Sequence, residues 1–182
     1  EAGTILCATA ATGGNVTIEN INPDHISVVI NKLEEAGCQI EIQKSSVKLK
    51  ATKKLKAIDI KTMPYPGFPT DLQQIFSAML TKSSGTSIIV ENIFENRYSS
   101  VPCLQRMGAS IRQEGKIAVV EGCGLLHGAD VCAEDLRGGA GLVLAALAAQ
   151  GTSRIEGIEW IERGYEHFCE NLTALGAEIW KK

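Results

Sequence analysis

The feature that most constrains this chain is a repetition. Three times a glycine stands just ahead of a β-branched stretch: Gly13 before Asn-Val-Thr-Ile, Gly85 before Thr-Ser-Ile-Ile-Val, and Gly151 before Thr-Ser-Arg-Ile. Three times a second glycine follows an amphipathic stretch: Glu-Ala-Gly37-Cys, Arg-Met-Gly108-Ala and Ala-Leu-Gly176-Ala. Within a set the two glycines lie 24, 23 and 25 residues apart, and successive sets are offset by 72 and 66 residues. Self-similarity of this period is the mark of one supersecondary unit used several times. The 182 residues read as three copies of a unit of about 68 residues, near 1–60, 61–128 and 129–182, within a single domain.

Each copy reads the same way. A first helix, near 2–11, 70–82 and 136–149, ends at the first glycine, which accepts positive φ cheaply. In the second copy Leu72, Ile75, Phe76, Met79 and Leu80 follow the helical period, and in the third Leu136, Ala140, Val143, Leu144 and Leu147 do. Both segments carry almost no charge, so these helices are expected to be buried on more than one side. A strand follows (Val16–Ile18, Ile88–Val90, Arg154–Ile158), then a turn and a second helix marked by Ile26, Val29, Ile30 and Leu33, or by Phe168, Leu172 and Leu175. Alternating strands close the unit at Gln39–Ile42 and Val47–Lys50, at Ser110–Arg112 and Ile117–Val120, and at Glu178–Trp180. The expected fold is α/β with mixed sheets, its uncharged helices central and its sheets outside.

The repeats also suggest what lies beyond. Asp71 stands 14 residues before Gly85 and Arg137 stands 14 before Gly151, whereas the matching place in copy one falls ahead of residue 1. The expectation is a piece of a longer polypeptide, beginning inside its first helix and stopping at the first closing strand of its third copy. The remainder would supply the missing strands.

Composition excludes several classes. With 45% hydrophobic residues and 21% charged the chain is too apolar to be disordered. Lys+Arg 18 against Asp+Glu 21 gives a net charge of −3, which offers no footprint for nucleic acid or an anionic membrane. No apolar run reaches the roughly 20 residues of a membrane helix, and no basic start leads into a signal core. A soluble, uncleaved, cytoplasmic chain is expected. The six cysteines form no C-x-x-C pair and the three histidines have unrelated spacings, so no metal site is expected. Reduced thiols in apolar surroundings are the simplest assignment.

Polar residues gather in two recurring places. The starts of the first helices hold Pro69-Thr70-Asp71-Leu72 and Glu134-Asp135-Leu136-Arg137; the turns before the second helices hold Glu95-Asn96-Arg97-Tyr98 and Glu162-Arg163-Gly164-Tyr165. Thr70 and Asp71 suit an N-cap. Arg137 and Arg163 suit either a pair with Glu134 or Glu162, or an anionic substrate held at a helix N-terminus. Ahead of Asp71, Met63-Pro64-Tyr65-Pro66-Gly67-Phe68-Pro69 reads as a stiff, extended approach that aims the aspartate.

Taken in order, Pro64-x-Pro66-Gly67-Phe68-Pro69-Thr70-Asp71, Ile93-Phe94-Glu95-Asn96-Arg97, Arg106-Met107-Gly108-Ala109, Asp135-Leu136-Arg137 and Arg163-Gly164-Tyr165-Glu166 closely resemble the bacterial UDP-N-acetylglucosamine enolpyruvyl transferases. The resemblance covers essentially the whole chain but one of that family's two domains. It implies an inside-out α/β barrel of three pseudo-symmetric repeats, with substrates in the cleft between two such domains. The implied reaction moves the enolpyruvyl group of phosphoenolpyruvate to the 3-hydroxyl of UDP-N-acetylglucosamine, releasing phosphate, at the start of peptidoglycan synthesis. No metal or organic cofactor is implied.

By the same resemblance Asp71 is the general base at the sugar hydroxyl, with Thr70 beside it as a substrate contact. Ile93 holds the UDP-sugar through its backbone and Phe94 lies beside the sugar. Arg163 reaches the phosphoenolpyruvate when the cleft closes, and Arg97, Asp135 and Arg137 position substrate and closing loops. The family's mobile Gly-Gly-Cys loop and its N-terminal Lys-Asn pair are absent. Cys123, in Glu-Gly-Cys123-Gly, falls in an unrelated hairpin and does not inherit the loop cysteine's role. This chain alone is expected to hold half a cleft and to be inactive. The alternatives are the shikimate-pathway enolpyruvyl transferase, disfavoured by Glu-Asn-Arg97 and Arg163-Gly-Tyr, and a non-catalytic repeat protein such as a ring-forming clamp, disfavoured by neutral to acidic second helices.

Overall fold

The computed structural model describes residues 1–181 as a mixed α/β fold. Three helices form its centre: α1 (Ala2–Thr12), α3 (Gln73–Leu80) and α5 (Leu136–Leu147), each packed on the other two. Every residue of α3 is buried, including Gln73, Gln74 and Ser77, as the scarcity of charge requires. Small residues let the helices close up. A Cβ on Gly141 of α5 would lie 3.1 Å from the Gln74 carbonyl of α3, and on another side of α5 one on Gly139 would lie 2.9 Å from the Ala133 Cβ in the loop after β8.

Sheets flank this centre. Strands β1 (Asn15–Glu19), β2 (Gln39–Gln43) and β3 (Ser46–Lys50) form an antiparallel sheet in the order β1-β3-β2. Its register sets Val16 opposite Leu49 and Ile18 opposite Val47. Val16, Val47 and Leu49 are buried while Thr17 and Lys48 face outward, the alternation of a half-buried sheet. The second sheet runs β4-β5-β7-β6, with β4 (Ile60–Lys61) parallel to β5 (Thr86–Val90), and β6 (Ser110–Glu114) and β7 (Ile117–Glu121) antiparallel. The third is a parallel pair, β8 (Asp130–Cys132) and β9 (Arg154–Glu156). Helices α2 (Ser27–Glu35), α4 (Val101–Arg106), α6 (Ile158–Glu162) and α7 (Phe168–Ala174) complete the units. No closed barrel is present among the described residues; the three sheets stay separate.

All six glycines that mark the repetition are left-handed, with φ between 88° and 108°. The elements around them depart from expectation in four places. Gly13 does cap α1, but α3 and α5 stop at Leu80 and Leu147, short of Gly85 and Gly151. Beyond α3 the amides of Thr81, Lys82 and Ser83 donate to the carbonyls three residues back, so the helix tightens and ends early. The strand expected at Arg154–Ile158 stops at Glu156, because Gly157 turns at φ 80° and Ile158 opens α6. Glu178–Trp180 alternates like a strand yet forms none, since nothing among the described residues pairs with it. The approach to Asp71 is folded, not extended: Gly67 N–H donates to the Pro64 carbonyl at 2.8 Å and Met63 N–H to the Phe68 carbonyl at 3.0 Å, around a cis Tyr65–Pro66 bond.

Candidate functional site

Phe68 anchors the loop that carries Asp71. Its ring is buried edge-on against Phe76 of α3, centroids 4.9 Å apart, so the next three residues are delivered to the head of that helix. Thr70, Asp71 and Leu72 form a single 3-10 turn there, and neither polar side chain caps it. Asp71 instead lies between two arginines: Arg97 Nη2 donates to Oδ1 at 2.8 Å and Arg137 Nη2 to Oδ2 at 3.0 Å. Arg97 also donates through Nη1 to the Thr70 hydroxyl at 2.6 Å. Arg137 thus pairs across the fold and not with Glu134, while Glu162 takes Lys181 and leaves Arg163 over the Trp160 ring at 5.3 Å.

The next shell fixes these groups. Asp135 is a true N-cap of α5, accepting from the amides of Arg137 at 2.9 Å and Gly138 at 2.7 Å. Its carboxylate also accepts from Gln74 Nε2 at 3.0 Å and from the Ser99 hydroxyl, and Gln74 Oε1 in turn accepts from Ser100 at 2.8 Å. The cap therefore ties the heads of α3 and α5 to the segment before α4. Glu91, fully buried just after β5, accepts from Thr62, from Thr70 and from the amides of Ile93 and Phe94. Aromatic faces back both guanidiniums: Phe94 lies 4.6 Å from Arg97, and Tyr165 lies 5.4 Å from Arg137 and meets Thr4 of α1 through its hydroxyl at 2.9 Å.

Partial burial pulls the Asp71 pKa upward, but Arg97 and Arg137 outweigh it and the carboxyl sits below its ordinary value. Asp135 is also lowered: burial raises it, and the Gly138 amide, Ser99 and Gln74 more than compensate. Burial acts to lower Arg137, yet Tyr165 and Asp71 leave it raised and firmly charged. The heads of α3 and α5 add positive helix ends to two guanidiniums. Such a site can hold an anion against the arginines and present a carboxylate to a hydroxyl beside it.

Of the residues singled out in the sequence, Thr70, Asp71, Phe94, Arg97 and Arg137 are linked into one set through Arg97 and Asp71. Ile93 joins through Glu91, and Asp135 through its cap on α5. Arg163 stands apart: it is exposed over Trp160 and, among the described residues, makes no hydrogen bond or ion pair with them. Sequence reasoning missed Glu91, Gln74 and Ser99. Gln73-Gln74 in an otherwise apolar helix and an acid directly after Ile-Ile-Val were the available signals. Among the described residues no three His, Cys, Asp or Glu side chains are placed to hold a metal, all six cysteines are free, and no helix is long and apolar enough to cross a membrane.

Comparison with known proteins gives this arrangement a lineage. Residues 1–172 match the family model described as EPSP synthase (3-phosphoshikimate 1-carboxyvinyltransferase). The chain is 51% identical over its full length to a UDP-N-acetylglucosamine 1-carboxyvinyltransferase of Desulfofundulus thermocisternus, covering 74% of that protein. It is 52% identical to UDP-N-acetylglucosamine 1-carboxyvinyltransferase 1 of Caldanaerobacter subterraneus, of which it spans only 44%. Among solved structures, the enolpyruvyl transferase NikO from Streptomyces tendae superposes with a TM-score of 0.88 at 25% identity, over 97% of this chain and 42% of NikO. EPSP synthase from Acinetobacter baumannii, 20% identical with a TM-score of 0.80 over 99% of this chain and 46% of its own, shares the fold. From fold, motifs and relatives together, the chain belongs to the UDP-N-acetylglucosamine 1-carboxyvinyltransferases, a family of enolpyruvyl transferases.

Proposed function

We propose that the chain is one domain of a two-domain enolpyruvyl transferase that moves the enolpyruvyl group of phosphoenolpyruvate to the 3-hydroxyl of UDP-N-acetylglucosamine, with release of phosphate. The observation that carries this reading is the double grip of Arg97 and Arg137 on a half-exposed Asp71 at the head of α3. Asp71 takes the proton of the sugar hydroxyl as its oxygen bonds to the enolpyruvyl carbon. Gripped by the two arginines, it is a poor base. An incoming phosphate or carboxylate competes for the same guanidiniums, and each contact it wins returns basicity to Asp71. Substrate binding and base activation are then one event.

The remaining roles extend the same reading. Thr70 holds Arg97, and the Ile93 backbone with the exposed Phe94 ring offers the sugar a lip. Asp135 fixes Arg137 by capping the helix that bears it. Arg163, exposed on its Trp160 stack, is the arm that reaches the phosphoenolpyruvate as the cleft closes. The three units near 1–60, 61–128 and 129–182 are completed into an inside-out barrel by polypeptide beyond this chain, and the other domain closes the cleft. The activity belongs to the cytoplasm, where peptidoglycan precursors are made, and requires no cofactor or metal.

The test is complementation. This chain is mixed with the other domain of a related enzyme, both substrates are supplied, and phosphate release is followed. Activity that appears only on mixing, falls at least a hundredfold in Asp71→Ala and does not accept shikimate 3-phosphate is expected, on the scale of losing a general base. Activity that survives Asp71→Ala would move the base elsewhere. Association without activity would remove the catalytic reading.

A further inference from the structure

Glu91 is a carboxylate with no exposed surface and no cationic partner among the described residues, yet it accepts four hydrogen bonds. Their polarity is forced. Arg97 can only donate, so the Thr70 oxygen must accept from it at 2.6 Å, and the single Thr70 proton goes to Glu91 Oε2 at 2.9 Å. The Asn92 amide likewise only donates to the Thr62 oxygen at 2.8 Å, which sends the Thr62 proton to Glu91 Oε1 at 2.8 Å. The same Oε1 accepts the Ile93 and Phe94 amides at 2.8 Å and 3.1 Å. One buried carboxylate therefore terminates two relays. One leads through Thr70 to Arg97 and Asp71, and the other sets the backbone that presents Ile93 and Phe94.

We propose that Glu91 is a positioning residue of the site, whose carboxylate holds the Asp71 clamp and the Ile93–Phe94 lip in one frame. It rests on the reading of the reaction given above. It acts through Thr70 and the two amides and touches no substrate. The charged groups on Asp71 are Arg97 and Arg137, and the titratable neighbour of Glu91 is Tyr98.

The decisive variant is Glu91→Gln. Its amide oxygen can serve Thr62, Ile93 and Phe94, but its NH2 then faces the Thr70 oxygen, which already receives Arg97. Thr70 is left with two donors and no acceptor for its own proton. In the chain itself, the Asp71 carboxyl is titrated by NMR while the Ile93 and Phe94 amides are followed. The expected result is an Asp71 midpoint raised by about half a pH unit or more, because Arg97 loosens, with the two amide resonances little changed. Thr70→Val should raise Asp71 in the same way without touching Glu91, and Thr70→Ser, which keeps the hydroxyl, should not. In the complemented enzyme Glu91→Gln should lower kcat about tenfold and move the acid limb of the rate profile with the Asp71 midpoint. A lower melting temperature with an unmoved Asp71 titration in both Glu91→Gln and Thr70→Val would overturn the proposal, since a purely structural carboxylate predicts that. Should the unmutated chain fail to complement, the reading of the reaction falls, while the Asp71 titration still decides for or against Glu91.

Discussion

Two side chains carry most of the readable chemistry at the residue scale. The Asp71 carboxyl is lowered in the folded chain, so it binds fewer protons there than when unfolded. Its contribution to stability is present above its unfolded value and disappears as pH falls through its folded one. Urea unfolding of the chain and of Asp71→Asn should therefore differ at neutral pH and converge below about pH 4. Tyr98 behaves oppositely. Burial and the nearby negative Glu91 raise its hydroxyl to about 12, and it donates to the carbonyls of Ile89 and Lys116. That stabilisation is complete below about pH 10 and is lost as pH rises toward 12. Absorbance at the tyrosinate band should show a late-titrating component, and Tyr98→Phe should remove it.

At the scale of elements, small residues set how closely α5 meets its neighbours, among them α6. Alanine favours helix over glycine by about 1 kcal/mol, yet a Cβ on Gly139 would stand 2.7 Å from Ile161 and 2.9 Å from the Ala133 Cβ. Overpacking should win, and Gly139→Ala is expected to destabilise by about 1–3 kcal/mol, read from the urea midpoint at constant slope. The same scale shows why some of the fold was legible and some was not. The apolar stripe Ile75, Phe76, Met79, Leu80 announces α3 because burial follows the helical period. The β-branched run Ile88–Val90 announces β5. Strands β4 and β8 are too short to carry a pattern, and Glu178–Trp180 has the pattern without a partner. Within the site, Asp71 and Arg137 were visible as residues at matching offsets, but their contact spans 66 positions and depends on how α3 meets α5. Glu91 was hidden because one acid after a strand looks like any edge residue until Thr62 and Thr70 are seen to converge on it.

Across the whole molecule, protection should be uneven. The second sheet has four strands over a buried helix, whereas β8 and β9 share only three residues of parallel ladder. Amides of β5 and β7 should exchange about 10- to 100-fold more slowly than those of β8 and β9, as read by hydrogen–deuterium exchange. The Arg137–Asp71 pair has a consequence at this scale too. It joins the head of one central helix to that of the next, and Arg97 comes from the segment between β5 and α4. An excised unit holding Asp71 and Arg97 would lack Arg137, and its successor would carry an arginine with no carboxylate to grip. The grip is therefore a property of the seam between two unlike copies, and neither unit carries it alone.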